Sequence, residues 1–177
     1  MDSPAEIFFP ATGQDAAAVA AFINSAYRGE SSRAGWTTEA DRLGGQRTDA
    51  GAVSELIEKP DSTILVCRDG EGLLGTIHIE REGDLARFGM LAVRPARQGR
   101  GTGKRLVGAA ERFAVDAWNA GRAEMAVLTF RLELIAFYGR LGYARTGRCH
   151  DFPQDPRFGI PKVSGLRFEI LEKRLSA

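Results

Sequence analysis

The chain has 177 residues, of which 44% are hydrophobic, and this is enough to bury the core of one domain. Its formal net charge is +1, so its overall charge does not favour a nucleic acid or a membrane surface as a partner. The 2 cysteines and 2 histidines are too few for a disulfide framework or a metal cage, and they indicate a reducing compartment. The sequence shows no basic and apolar leader and no run of about 18 apolar residues. We therefore expect residues 1–177 to form a single cytoplasmic domain that binds no metal, nucleic acid or membrane.

Hydrophobic periodicity and turn residues divide the chain into helices and strands. The predicted strands cover residues 5–10, 62–67, 73–82, 85–93, 123–129, 144–149 and 166–171. The predicted helices cover residues 14–27, 50–58, 101–120 and the residues around Tyr138. Strands separated by a helix favour parallel pairing, whereas the hairpin predicted around residues 82–84 favours antiparallel pairing. The pattern predicts an α/β protein with a mixed sheet.

The segment that follows the strand at residues 85–93 is typical of an anion-binding loop. Pro95 marks the end of this strand, because proline cannot donate to a sheet, and three alternating glycines precede the next helix. Backbone N–H groups of such a loop point at an anion, and the helix dipole adds about half a positive charge there. The segment also contains a basic cluster of Arg94, Arg97, Arg100, Lys104 and Arg105. We therefore predict a polyanionic ligand.

Spacing distinguishes three phosphate-binding motifs that this loop could represent. A Walker A loop requires glycine where Gln98 stands and serine or threonine where Arg105 stands, so it is excluded. A dinucleotide-binding motif requires its third glycine where Lys104 or Leu106 stands, so it is excluded as well. The pattern that fits is Gln98-x-x-Gly101-x-Gly103. It resembles the acetyl-coenzyme A motif of the GCN5-related N-acetyltransferase (GNAT) family.

A second segment is similar to another motif of the same family. A short amphipathic helix carries Tyr138 and closes at Gly142, which is followed by Tyr143. In the family such a helix lies beside the cofactor. An isolated tyrosine at this position would instead indicate a core aromatic, but the glycine loop about 30 residues upstream favours the functional interpretation.

The resemblance implies a fold with the element order βααβββαβαββ and acetyl-coenzyme A (acetyl-CoA) as the acetyl donor, without a metal. It implies that the backbone of Leu91, Ala92 and Val93 holds the pantetheine arm. The pyrophosphate would be held by the loop residues Gln98, Gly99, Arg100, Gly101, Thr102, Gly103 and Lys104. Arg131 stands where the family often has asparagine, so it either contacts a phosphate in a bidentate manner or begins a helix in solvent.

The resemblance also implies a mechanism of direct attack by a neutral amine on the thioester. A strand N–H near Leu91 would stabilise the oxyanion, and Tyr138 would protonate the leaving thiolate. The general base could be His78, Glu80 or water. His78 and Glu80 share one face of a strand, so either could act as the base, but polar residues in this arrangement are also typical of an edge that faces solvent. Whether the acyl group is acetyl or longer is open too.

The acceptor site is expected in the loops that the two motifs do not explain. Trp36 and Glu39 form a candidate aromatic wall and carboxylate for an amine. The alternative has Trp36 in the core, with Thr37 and Thr38 as helix N-caps. Residues 152–156 form a second candidate rim, for which the alternative is a β-turn linker.

The sequence therefore predicts an acetyl-CoA-dependent N-acetyltransferase whose acceptor is a primary amine of a small molecule or peptide. One alternative is a non-catalytic acyl-CoA-binding sensor, and another is a structural or regulatory module whose loop binds no nucleotide. The sequence does not decide whether the chain is a monomer or a homodimer.

Overall fold

The computed structural model describes residues 7–176. Its strands are β1 (Phe8–Pro10), β2 (Leu43–Gly44), β3 (Ser62–Asp69), β4 (Gly72–Glu82), β5 (Leu85–Val93), β6 (Arg122–Leu128), β7 (Ala144–Asp151), β8 (Ile160–Pro161) and β9 (Arg167–Arg174). Its α-helices are α1 (Ala16–Tyr27), α2 (Gly29–Ser32), α3 (Ala50–Glu58), α4 (Thr102–Trp118) and α5 (Leu132–Arg140). Within these residues no helix is both long enough and apolar enough to cross a bilayer.

The central sheet has seven strands in the order β1-β3-β4-β5-β6-β9-β7. Strands β5 and β6 are parallel, and every other neighbouring pair in this sheet is antiparallel. The short strands β2 and β8 form a separate two-stranded sheet. The predicted mixed sheet and its order of elements are confirmed, and the short elements α2, β2 and β8 are additions that the sequence did not indicate.

Most predicted boundaries lie within a few residues of the observed ones. Helix α3 covers the predicted residues, and its N-cap Asp49 accepts a 2.8 Å hydrogen bond from the N–H of Ala52. Helix α4 ends before the predicted residue 120, because Asn119 adopts a φ of 52° and closes the helix. Strand β1 begins at Phe8, and residues 5 and 6 of the predicted strand lie outside the described residues.

Each face of the sheet is covered by helices. Helices α4 and α5 cover one face, where Ile77 and Ile79 pack with Leu106. Helices α1 and α3 cover the other face, where Ile23 and Val53 belong to the buried cluster. A smaller cluster of Leu43, Leu128, Phe152 and Leu166 lies beside these two. The two large clusters fix the position of β5 from both faces, and β5 carries the residues that border the candidate site.

Candidate active site

Strands β5 and β6 pair over only part of their length, and this opens a cleft in the middle of the sheet. Residues 85–88 of β5 pair with residues 122–125 of β6, and the pairing then stops. The register of β5 with β4 shifts between Thr76 and His78, opposite a β-bulge in which Met90 has a φ of 47°. Residues 89–93 therefore border the cleft without a partner in the described part of β6.

The glycine loop after β5 leads into α4, and its backbone is open to a ligand. Gly99 and Gly101 have φ values of 78° and 84°, a region that favours glycine. Gly101 is the N-cap of α4 and offers no side-chain acceptor to the first helical turn. A Cβ on Gly99 would meet no atom within 4 Å. The start of α4 thus presents N–H groups and the positive end of a helix dipole to an anion.

A cavity of about 480 Å³ lies over this loop, and we call it the donor cavity. Its walls include the predicted cofactor residues Leu91, Val93, Gln98, Gly99, Gly101, Thr102, Gly103 and Lys104. Arg97 and Arg140 add positive charge to the lining. Glycine N–H groups, a helix N-terminus and basic side chains are the donors that a pyrophosphate requires, so these residues fit acetyl-CoA.

Three predicted cofactor residues do not line the donor cavity, namely Ala92, Arg100 and Arg131. The side chain of Ala92 is fully buried in the cluster that includes residues of α1 and α3. Arg100 is exposed, and its carbonyl accepts a 3.3 Å hydrogen bond from Arg105. The side chain of Ala92 is turned away from the cavity because β5 alternates its faces, but its predicted role belongs to its backbone and stays a prediction. The loop turns the side chain of Arg100 towards solvent.

The side chain of Gln98 joins the glycine loop to the Trp36 segment. Its Oε1 accepts a 2.9 Å hydrogen bond from the N–H of Trp36. Its Nε2 donates to Thr37 Oγ1 and to the carbonyl of Val93, each at 3.0 Å. A Cβ on Gly35 would lie 2.6 Å from Gln98 Oε1, so only glycine permits this approach. Gln98 lines the donor cavity, but its amide is engaged by protein groups.

Arg131 begins α5 as its N-cap, in agreement with part of the second prediction, but it is not in solvent. Its side chain is buried, and its Nε donates to Glu133 at 2.7 Å. Its two terminal nitrogens donate to the carbonyls of Thr37 and Trp36, both at 3.1 Å. It also lies outside the donor cavity. Arg131 is thus neither solvated nor placed to bind a phosphate, and it holds the Trp36–Thr37 turn instead.

A second cavity of about 250 Å³ lies next to the donor cavity, and we call it the acceptor cavity. The two cavities share Tyr27, Leu91 and Leu134 in their walls. Much of the acceptor cavity is apolar, with Ile77, Phe88, Met90, Met125, Phe152, Phe158 and Phe168 in its lining. Its charged lining residues are Arg28, Glu39, Arg47 and Arg131. The lining suits a small molecule with an apolar part.

Tyr138 lies in the wall of the acceptor cavity, on α5. Its ring is buried and makes edge contacts with Phe137 and Tyr143, at centroid distances of 5.2 and 5.9 Å. Burial raises the pKa of its hydroxyl well above the ordinary value. Among residues 7–176 the hydroxyl has no hydrogen-bond acceptor, so its proton is not committed to the protein.

Tyr27 lies where the two cavities meet, and no local pattern in the sequence marks it as a site residue. Its hydroxyl donates a 2.5 Å hydrogen bond to the carbonyl of Leu91. Burial, and then the nearby carboxylate of Glu39, raise the pKa of Tyr27 to about 12, so it stays protonated near neutral pH. Tyr27 thus fixes β5 at its bulge.

The structure separates the two residues that were predicted to bind the amine together. Trp36 is 41% exposed and lines the donor cavity, whereas Glu39 lines the acceptor cavity. The carboxylate of Glu39 is paired with Arg28 at 3.2 Å, and both side chains are nearly buried. The alternative prediction of a helix N-cap at Thr37 and Thr38 is wrong, because turns follow these residues and their hydroxyls bond within the protein.

His78 and Glu80 share one face of β4, as predicted, but neither lines either of the two cavities. The Nε2 of His78 lies 2.9 Å from the hydroxyl of Ser62, and burial lowers the pKa of His78 to about 4. Glu80 accepts a 2.6 Å hydrogen bond from Lys59. Their face of β4 packs towards α1 and α3, and this placement contradicts the prediction that either takes a proton directly from the acceptor.

Of the predicted rim at residues 152–156, the first two residues lie at the acceptor cavity. Phe152 is buried, and it lines the acceptor cavity together with Pro153. Arg28 and Arg47 of the same cavity were missed, because nothing in their local sequence distinguishes them from surface arginines. Within the described residues no group of three or more His, Cys, Asp or Glu side chains could hold a metal ion.

The cleft between two parallel strands, with a glycine loop and a helix N-terminus at its edge, is the arrangement of an acyl-CoA N-acyltransferase. Residues 60–145 match a family model that is described as an acetyltransferase (GNAT) domain. This segment contains the cleft strands, the glycine loop and Tyr138. Residues 60–145 of the chain are therefore similar to the acetyltransferase domain of the GNAT family.

Solved structures of the same class share its fold. An N-acetyltransferase from Staphylococcus aureus Mu50 is 11% identical, with 96% of this chain and 97% of that chain covered and a TM-score of 0.71. The spermidine/spermine N-acetyltransferase SpeG from Vibrio cholerae is 13% identical, with 96% and 95% covered and a TM-score of 0.65. A nourseothricin acetyltransferase is 22% identical, with 66% and 67% covered and a TM-score of 0.57. No curated protein sequence matches the chain.

Proposed function

We propose that residues 1–177 act as one N-acetyltransferase domain that transfers an acetyl group from acetyl-CoA to a primary amine of a small molecule or peptide. The observation that carries this proposal is the meeting of the two cavities at Tyr27, Leu91 and Leu134. A donor in one cavity and an acceptor in the other would bring their reacting groups together in the cleft of the sheet. A cytoplasmic location stays a prediction from the sequence.

The donor side of the proposal rests on the glycine loop and on β5. Acetyl-CoA supplies an acetyl group that is activated as a thioester. The loop from Gly99 to Lys104 and the first turn of α4 would hold the pyrophosphate through backbone N–H groups. The backbone of Leu91 and Val93, which no described residue of β6 covers, would orient the pantetheine arm. The bulge at Met90 turns this part of β5 away from β6.

We assign the role of general acid to Tyr138. Acetyl transfer forms a bond between the amine nitrogen and the acetyl carbon and breaks the bond between that carbon and the coenzyme A sulfur. The sulfur then needs a proton, and the Tyr138 hydroxyl has one that no described residue accepts. The raised pKa of Tyr138 makes it a weak acid, but a thiolate in the same buried place is also a stronger base than in water. Solvent would return the proton to Tyr138 after each turnover.

We assign the role of base to water. The acceptor must lose a proton before its nitrogen can attack, and His78 and Glu80 lie outside the acceptor cavity. Glu39 is a carboxylate in the lining, but it is paired with Arg28. Solvent that reaches the cavity is therefore the acceptor for this proton.

Two measurements test the proposal. A thermal shift with acetyl-CoA tests donor binding, since a ligand at 100 times its Kd stabilises a protein by about 2.7 kcal/mol. An assay of thiol release across a panel of amines tests transfer, with acetylated product determined by mass spectrometry. The proposal predicts both a shift and amine-dependent release. A shift without release would indicate a sensor, and the absence of both would indicate a module that does not use acyl-CoA.

A further inference from the structure

Three arginines line the acceptor cavity, and they differ in how fully their guanidinium groups are bound by the protein. They are Arg28, Arg47 and Arg131. A guanidinium that lines a cavity without an acidic partner is available to bind an anionic group of a ligand, because it has five N–H donors in a rigid plane. The state of each arginine therefore indicates what charge the acceptor carries.

Arg28 is fully engaged by the protein. It is paired with Glu39 at 3.2 Å, and its side chain is only 5% exposed. It also donates to the carbonyls of Gly44, Gln46 and Phe158, at 3.0, 3.3 and 3.2 Å. The ion pair has no net charge. Glu39 is therefore a weak binding partner for a cationic ligand, and Arg28 is a weak binding partner for an anionic ligand.

The guanidinium of Arg131 is also fully hydrogen-bonded to protein groups. Glu133 and the carbonyls of Trp36 and Thr37 accept hydrogen bonds from its three guanidinium nitrogens. Its side chain is buried against the turn that it holds. Arg131 forms part of one wall of the acceptor cavity, and each of its three guanidinium nitrogens already donates a hydrogen bond to a protein group.

Arg47 differs from both. Its guanidinium carbon lies 5.9 Å from the centre of the Tyr27 ring, and in the described part of the chain its side chain has neither an ion pair nor a hydrogen bond. It is only partly exposed. The ring of Tyr27, beneath it, lies in the wall that the two cavities share. Arg47 thus adds a positive charge to the acceptor cavity that no described carboxylate balances.

We propose that Arg47 binds a carboxylate of the acceptor and that the acceptor is a free amino acid with an apolar side chain. This inference rests on the proposed acetyltransferase function and names the substrate class of that site. The amine would face the cleft and the carboxylate would face Arg47. The side chain would contact apolar residues such as Phe88, Phe152 and Phe158.

Arg47, which is unpaired among the described residues, and the paired Glu39 disfavour polyamines and peptide amines as acceptors. A polyamine would bring a second positive charge towards Arg47, and the one carboxylate among the lining residues is already paired with Arg28. A peptide amine has an amide where a free amino acid has its carboxylate, so it would leave Arg47 without an anionic partner.

Matched pairs of amines test the inference. We would measure kcat/KM for L-phenylalanine, L-leucine and L-methionine, each beside its own amide, with spermidine as a further acceptor. An amide keeps the amine and the side chain but lacks the carboxylate. For at least one pair we expect the acid to be preferred by about tenfold to a hundredfold, because a hydrogen bond to a charged group has this strength. The ratio of acid to amide is the readout, since a general loss of folding would lower both rates.

The variant Arg47→Gln should bring this ratio close to one. The control is Arg42→Gln, because Arg42 lies over the ring of Phe130 and lines neither of the two cavities. It should leave the ratio as in the wild type. An unchanged ratio in Arg47→Gln would overturn the inference, and so would equal use of acids and amides or a clear preference for spermidine.

The same acceptor panel distinguishes a wrong substrate class from a wrong proposed function. If spermidine or the amides are acetylated and the acids are not, the chain is an acetyltransferase with another substrate class. If acetyl-CoA stabilises the protein but no amine in the panel is acetylated, both proposals are contradicted and the sensor function is favoured.

Discussion

The hydroxyl of Tyr27 donates its hydrogen bond to the carbonyl of Leu91, and this bond joins the end of α1 to the bulge of β5. Both residues lie in the wall that the donor and acceptor cavities share. The bond also distinguishes the two tyrosines of the cleft. The proton of Tyr27 is committed to Leu91, whereas that of Tyr138 has no acceptor among the described residues.

Replacing Tyr27 with phenylalanine should lower stability and weaken the use of acetyl-CoA. The change leaves the Leu91 carbonyl without its partner, which costs about 1–3 kcal/mol when the group stays buried. We expect a lower free energy of unfolding in urea and a higher KM for acetyl-CoA, because β5 would be less well fixed. A KM for acetyl-CoA equal to that of the wild type would show that this bond does not position the donor strand.

Replacing Gly101 with alanine should weaken coenzyme A binding. Gly101 has a φ of 84°, and a Cβ there would lie 2.9 Å from the side chain of Arg105. The left-handed conformation costs about 1–2 kcal/mol for a residue with a Cβ, so the loop should leave its present geometry. Calorimetry should show a higher Kd for coenzyme A. The control is Gly108→Ala within α4, which meets only ordinary contact with Arg112 at 3.5 Å and should leave the Kd unchanged.

His78 should make the protein less stable as the pH falls from about 6.5 to about 4. Burial lowers its folded pKa to about 4, so in this range the unfolded chain takes up a proton that the folded chain does not. The stability is therefore present above pH 6.5 and is lost below it, by about 3 kcal/mol in total.

The variant His78→Gln should reduce this loss, as judged from urea midpoints at several pH values. Glutamine can keep a hydrogen bond to Ser62, so the fold should persist. The control is His150→Gln, a substitution of the same type at an exposed histidine. A pH dependence that is the same in all three proteins would contradict the role of His78.

Local signals in the sequence predicted the elements and the donor side of the site. Helix α3 begins and ends at the predicted residues, and Gly142, with a φ of 93°, closes α5 as its position in the sequence indicated. The glycine loop is contiguous, so its spacing alone distinguished it from other phosphate-binding motifs. Such features depend on neighbouring residues, and a single sequence contains them.

The acceptor side depends on contacts between segments that are far apart in the chain. Arg28 donates to the carbonyl of Phe158, which is 130 residues away, and Arg131 donates to the carbonyl of Thr37, which is 94 residues away. No local pattern marks either pair. For the same reason the separation of Trp36 from Glu39 could not be read from their spacing, since it follows from the pairing of Glu39 with Arg28.

In the proposed reaction, Tyr138 protonates the sulfur of coenzyme A during acetyl transfer in the cleft. The most direct test is amine-dependent thiol release by the wild type and by Tyr138→Phe, with Tyr143→Phe as the control. The hydroxyl of Tyr143 donates to Glu111 at 2.9 Å and lies outside both cavities, so its loss should affect stability rather than turnover.

We expect the wild type to release one thiol for each acetylated amine. Tyr138→Phe should lower kcat by about a hundredfold or more, because a general acid contributes a factor of this size, while the Kd for acetyl-CoA stays close to that of the wild type. Tyr143→Phe should keep a kcat close to that of the wild type. Equal kcat values for the wild type and Tyr138→Phe would contradict the role of Tyr138 as the general acid. No amine-dependent thiol release by the wild type would contradict the proposed acetyl transfer.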